Sequence, residues 1–71
     1  MSNQEIAFEI YKNSRVSDKV QNDLNSGCNP DDNYFLQGVF DEVYSLLSDH
    51  FSTSELDEIE IGTILDDYHY N

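Results

Sequence analysis

The segment Asp23-Leu24-Asn25-Ser26-Gly27 could begin a calcium-binding loop between two helices. Such a loop needs oxygen ligands at positions 1, 3 and 5, glycine at position 6 and glutamate at position 12. With Asp23 at position 1, position 5 is Gly27 and position 12 is Tyr34, which cannot supply a bidentate carboxylate. We therefore expect Gly27 to end a helix in the left-handed conformation, without a calcium site.

The residues suited to transition metals or to nucleophilic catalysis are isolated. Cys28, His50 and His69 have no CxxC, HxxxH or HExxH spacing. We expect Cys28 to be a small apolar filler and His50 to complement a helix C-terminus. The adjacent acids Asp31-Asp32 and Asp66-Asp67 would point in different directions on a helix. The sequence thus predicts no metal, no cofactor and no enzymatic activity.

The strongest chemical feature is an uncompensated negative charge. No lysine or arginine follows Lys19, and the formal net charge of the chain is -12. In the first nineteen residues three acids balance three bases. The remaining part carries twelve carboxylates: Asp23, Asp31, Asp32, Asp41, Glu42, Asp49, Glu55, Asp57, Glu58, Glu60, Asp66 and Asp67. Such a surface repels nucleic acid and anionic lipid and attracts basic proteins.

The elements that must carry these acids are predicted to be helices. The chain has 71 residues, which suits a single small domain over 1–71. We expect an all-α bundle of three to four short helices. Its first part is a helical segment over 1–27, where Ile6 and Ile10 lie one turn apart. A bend, or a second helix starting at Ser14 or Ser17, separates them from Val16, Val20 and Leu24.

A central helix is predicted over 29–51. Asn29 is a favourable N-cap, and Pro30 suits the first helical position. The apolar positions recur with helical spacing and should form the buried face of this helix: Leu36, Phe40, Val43, Leu47 and Phe51, widened by Phe35, Val39, Tyr44 and Leu46.

A third, acidic helix is predicted over 53–68. Ser52 and Glu55 have the spacing of a capping box. Its apolar residues are Leu56, Ile59, Ile61, Ile64, Leu65 and Tyr68. The alternation over 58–61 is also compatible with a short edge strand. Helix is favoured, because the cap is good and no partner strand is visible.

These two helices would present rows of carboxylates at helical spacing. Residues three and four apart on a helix lie about 5–6 Å from each other, which is on the scale of phosphate spacing along a nucleic-acid strand. The predicted partner-binding residues are Asp41, Glu42, Asp49, Glu55, Asp57, Glu58, Glu60, Asp66 and Asp67, with Tyr44 and Tyr68 as aromatic anchors. Glu55, Glu58 and Asp66 would share one stripe of the third helix.

The leading hypothesis is a small inhibitor that mimics nucleic acid and occupies the basic DNA or RNA groove of its target. A phage product that blocks a defence nuclease, of the anti-CRISPR or anti-restriction type, fits this size and charge. An antitoxin or immunity protein, or a regulator of a transcription complex, could use the same charge at another site. The acidic surface could also serve solubility alone.

The neutral first segment suggests a further possibility, a homo-oligomer. Ile6, Phe8, Ile10 and Tyr11 could form the interface of a homodimer. The chain shows no signal peptide and no long apolar run, and one cysteine cannot form an internal disulfide. These features predict a cytoplasmic protein, located in the host cytoplasm if it is encoded by a phage.

Overall fold

The computed structural model describes residues 2–70 and confirms the all-α prediction. Its described part contains five α-helices and a final π-helical turn, and it shows no strand. The elements are α1 (Asn3–Lys12), α2 (Arg15–Asn25), α3 (Asn33–Ser48), α4 (Thr53–Glu58), α5 (Ile61–Leu65) and the turn Asp66–Tyr70. Helix α3 contacts each of the other four helices and is the centre of the bundle.

The first two helices are separated at the predicted point. Asn13 and Ser14 separate α1 from α2, because Ser14 has an extended backbone and is the N-cap of α2. Its hydroxyl accepts from the Ser17 amide and donates to the carbonyl of Tyr11. The buried hydroxyl of Ser17 donates to the carbonyl of Ser14, so the junction leaves its polar groups satisfied.

The loop between α2 and α3 is longer than predicted. Gly27 does adopt the left-handed conformation, with a φ of 104°. The central helix, however, begins at Asn33 with Asp32 as its N-cap, so Asn29 and Pro30 lie outside it. The Asn29 side chain instead accepts from the amide of Asp31, which closes a local turn. Cys28 is exposed in this loop and fills no core position.

The core is assembled around one face of α3. Val39, Val43 and Leu47 are buried at intervals of four residues. The buried face is rotated relative to the predicted one. Phe40 and Tyr44 lie on its flank, with 37% and 44% of their surface exposed. The complete buried cluster is Ala7, Tyr11, Val20, Val39, Val43, Leu47, Leu56, Ile59, Ile64 and Leu65.

The predicted third helix is interrupted, and the interruption is stabilised from outside. Ser52 and Glu55 form the predicted capping box at the start of α4. Ile59 and Glu60 are then extended, although no strand forms. The side-chain amide of Gln4 donates to the carbonyl of Glu60 at 3.0 Å and accepts from its amide at 2.9 Å. The Gln4 side chain therefore satisfies the backbone groups of Glu60, which a continuous helix would have paired internally.

The Gln4→Ala variant should lose about 1 kcal/mol of unfolding free energy, because it removes two hydrogen bonds that hold the break. Urea unfolding followed by far-UV circular dichroism measures this loss. Gln37→Ala is the matched control, since Gln37 is exposed on α3 and should change stability by less than about 0.5 kcal/mol. Equal effects of the two substitutions would show that the Gln4 pairing does not stabilise the fold.

Candidate functional site

The predicted partner-binding acids all lie at the surface. Seven of the nine are exposed, and Glu42 and Glu55 are half-buried. Between the side chains of residues 2–70 the structure shows one ion pair, from Lys19 on α2 to Glu42 on α3. This contact raises the pKa of Lys19, chiefly through its hydrogen bond to Glu42. The negative charge of the later helices is thus presented to solvent largely uncompensated.

One group of these acids is brought together on α3. Asp41, Glu42 and Asp49 surround a shallow depression of about 450 Å³. Val16 and Leu46 also line it, so the carboxylates border an apolar surface. The depression lies between α2 and α3, next to the Lys19–Glu42 pair.

Two of the predicted binding acids take part in the fold itself. Glu55 accepts from the Ser52 amide at 2.9 Å and from the side chain of Asn3 at 3.4 Å. The hydrogen bonds from Ser52 lower the pKa of Glu55. Glu60 accepts from the hydroxyl of Thr63 and is joined to Gln4 through its backbone. Replacing Glu55 would therefore disturb folding as well as charge, whereas replacing Glu60 would keep the backbone pairing with Gln4.

The predicted carboxylate stripe on the third helix is not formed as a straight row. Glu58 ends α4, while Asp66 follows α5 in the π-helical turn. The extended residues between them change the direction of the chain, so the spacing of a single helix does not apply. What the structure keeps is the exposure of Asp57, Glu58 and Asp66, without their regular alignment.

Of the residues predicted for the oligomer interface, Tyr11 is not available at the surface of the folded chain. It is fully buried beneath the bundle, next to the buried Ala7, because the apolar face of α1 packs on the core of its own chain. Phe8 and Ile10 pack against the same core and remain half-buried. Ile6 is also half-buried. The predicted set thus does not form one exposed patch.

A neutral hydrogen-bonded relay fixes the last turn of the chain. The Tyr11 hydroxyl lies 2.6 Å from Nε2 of His69, and Nδ1 of His69 lies 2.9 Å from Oε1 of Gln21. Because the Gln21 oxygen can only accept, Nδ1 carries the proton and Nε2 accepts from Tyr11. Burial lowers the pKa of His69, and burial followed by the charge of Tyr68 raises the pKa of Tyr11.

Tyr68 is a packing residue more than an exposed anchor. Its ring stands edge-on to the ring of Tyr11, with centroids 5.5 Å apart. The centroid of the Phe8 ring lies 6.3 Å from that of Tyr68. The aromatic side chains left exposed are Tyr34, Phe40, Tyr44 and Tyr70. Of the two predicted anchors, Tyr44 is therefore the one that is available at the surface.

An apolar groove with an acidic rim lies between α3 and α5. We call it the α3–α5 groove; its volume is about 380 Å³. The lining residues are Val20, Pro30, Asp31, Phe35, Leu36, Val39, Phe40, Gly62, Leu65, Asp66, His69 and Tyr70. Burial, followed by the charges of Asp66 and Asp31, raises the pKa of Tyr70 at its edge. No local sequence signal indicates this groove, because it depends on the break at Glu60 and on the relay to His69.

The described residues contain no cluster of three or more His, Cys, Asp or Glu placed to hold a metal ion. None of the helices in this part of the chain combines the length and apolar character needed to cross a membrane. Comparison with models of protein families, with curated proteins and with solved structures finds no match for this chain. A functional proposal must therefore rest on the surface itself.

The relay predicts that stability falls as the pH decreases from about 7 to about 5. The folded-state pKa of His69 lies below its unfolded value of about 6.5, so the unfolded chain binds more protons in this range. Thermal unfolding at each pH measures the effect. His69→Gln should flatten the profile, whereas His50→Gln, which changes an exposed histidine, should leave it in place. An unchanged slope in His69→Gln would contradict the assignment.

Proposed function

We propose that this chain is a small acidic binding protein that inhibits a nucleic-acid-binding protein by occupying its basic groove. The observation that carries the proposal is the exposed acidic charge of the later part of the chain, where no lysine or arginine follows Lys19. Since nucleic-acid sites are lined by Lys and Arg that contact phosphates, they are the protein surfaces most complementary to such a face.

The charge density of the molecule supports this match. The net charge of -12 is carried by a body whose longest dimension is 33 Å. Over the same length, one strand of nucleic acid carries about 10 phosphates and a duplex about 19. The protein thus presents a charge similar to that of a single strand, on a folded scaffold.

The mechanism would be competition aided by electrostatic steering. Long-range attraction to a basic groove raises the association rate, and this effect weakens as salt screens the charges. Exposed aromatic side chains would then fix the orientation of the complex. Tyr34 is the most exposed of them, at 88%, and Tyr44 and Tyr70 are about half exposed.

The irregular placement of the acids supports a second candidate. Because α4 and α5 are separate, the carboxylates do not follow the even spacing of a phosphate backbone. An antitoxin, an immunity protein or a regulator of a transcription complex would need only a complementary basic patch, outside the nucleic-acid groove. For the mimic, the proposed target class is a defence nuclease of the CRISPR or restriction type.

Neutralising exposed acids should weaken binding to the partner captured from native host lysate at low salt. Asp41→Asn with Asp49→Asn, or Asp57→Asn with Glu58→Gln, should lower the affinity by about tenfold or more in calorimetry. The control is Glu9→Gln with Asp18→Asn, which makes the same charge change on α1 and α2. If the control pair weakens binding as much as the test pairs, the affinity depends only on the total charge, and the acids of the later helices are not a specific binding face.

A competition assay separates the two candidates. DNA or RNA bound to the captured partner should be displaced by this protein, with an apparent affinity that falls as salt rises. If a partner saturated with this protein retains its full nucleic-acid affinity, the mimic is wrong and the second candidate stands.

A further inference from the structure

We propose that the α3–α5 groove receives a basic segment of a partner protein, with an apolar side chain of that segment as the anchor. This inference rests on the proposed function, since it names the part of a partner that the acidic protein would bind. It differs from that function in requiring a shaped apolar contact as well as attraction between charges.

The floor of the groove has room for such an anchor. Gly62 lies on α5, and a Cβ atom at this position would meet only the ring tip of Phe40, at 3.9 Å. Glycine is less favourable than alanine within a helix. The glycine leaves a space beside Phe40 in the lining of the groove that a side chain from another molecule can occupy.

The walls of the groove leave apolar surface exposed that the core does not use. Phe40 is 37% exposed on the flank of α3, and Tyr70 is 49% exposed on the opposite side. Leu36 also lines the groove and is half-buried. The relay from Tyr11 through His69 to Gln21 holds the turn that carries Tyr70, so this wall is fixed within the fold.

The charge of the rim selects the occupant. Asp31 and Asp66 are the acidic side chains among the lining residues, and both are exposed. His69 also lines the groove, but both of its ring nitrogens are hydrogen-bonded within the molecule. Lysine or arginine residues beside an apolar anchor would match this arrangement. A second copy of the chain fits poorly, because each copy carries a net charge of -12.

Labelled helical peptides provide a direct test with the intact protein. One peptide carries two leucines a turn apart, flanked by lysines, and its matched partner has glutamine in place of both leucines. In fluorescence anisotropy at low salt, the leucine peptide should bind at least about tenfold more tightly, because burial of an apolar side chain contributes about that factor.

Two glycines of the chain supply matched variants. Gly62→Leu fills the groove and should weaken the leucine peptide by about tenfold, while leaving the glutamine peptide unchanged. Gly38→Leu makes the same change on the exposed surface of α3, outside the groove, and should leave both peptides unchanged. Phe40→Ala, which removes one wall, tests the same contact if Gly62→Leu fails to fold by circular dichroism.

The outcomes separate this inference from the proposed function. If both lysine peptides bind equally and Gly62→Leu has no effect, the groove is not the site, but attraction of basic segments stands. If neither lysine peptide binds, both the groove and the attraction are overturned. A concentration-dependent dimer in analytical ultracentrifugation that Gly62→Leu abolishes would assign the groove to a second copy and overturn the basic occupant.

Discussion

Uncharged contacts, apolar packing together with neutral hydrogen bonds, attach the acidic C-terminal third to the other helices, and the rest of the structure depends on them. No lysine or arginine lies in that third, so ion pairs of its acids with such side chains within it cannot provide cohesion. Buried apolar side chains of this third pack in the common core, and amide and hydroxyl groups of α1 and α2 supply polar contacts. Gln4 pairs with the backbone of Glu60, and Tyr11 and Gln21 hold His69 from both sides. None of these contacts uses a carboxylate side chain, so they attach this third without burying an acid, which would be costly.

This arrangement explains how a small domain tolerates a high net charge. A chain of this length gains limited stability from its core, and self-repulsion reduces it further. The acidic helix α4 is short and is tied to α1 by Asn3, and Glu60, which follows it, is tied to α1 by Gln4. Glu55 has two structural roles, since its carboxylate completes the capping box of α4 and also accepts a hydrogen bond from Asn3 on α1. The Lys19–Glu42 pair makes the corresponding link between α2 and α3.

Features determined by neighbouring residues could be predicted from the sequence, and features determined by distant contacts could not. The capping box at Ser52, the second helix capped by Ser14 and the left-handed Gly27 all follow from local chemistry, and all are present. The alternation over 58–61 indicates the extended alternative at Ile59 and Glu60, but not its partner Gln4, which lies 56 positions from Glu60. The surface exposure of the acids was predictable from their charge. Their alignment was not, because the prediction of a regular row assumed an unbroken helix.

The break in the third helix also changes which part of the surface can confer specificity. An unbroken helix would have presented regular carboxylates, and regular charge alone attracts any basic groove without selecting among them. Breaking the helix turns α5 so that Gly62 lies near Phe40, and it creates an apolar groove between acidic rims. A fully desolvated apolar contact discriminates between partners by shape, whereas exposed charges mainly affect the association rate. In the function that we propose, the acids and the groove would have separable roles: the acids would bring basic partners to the surface, and the groove would select those with a fitting side chain.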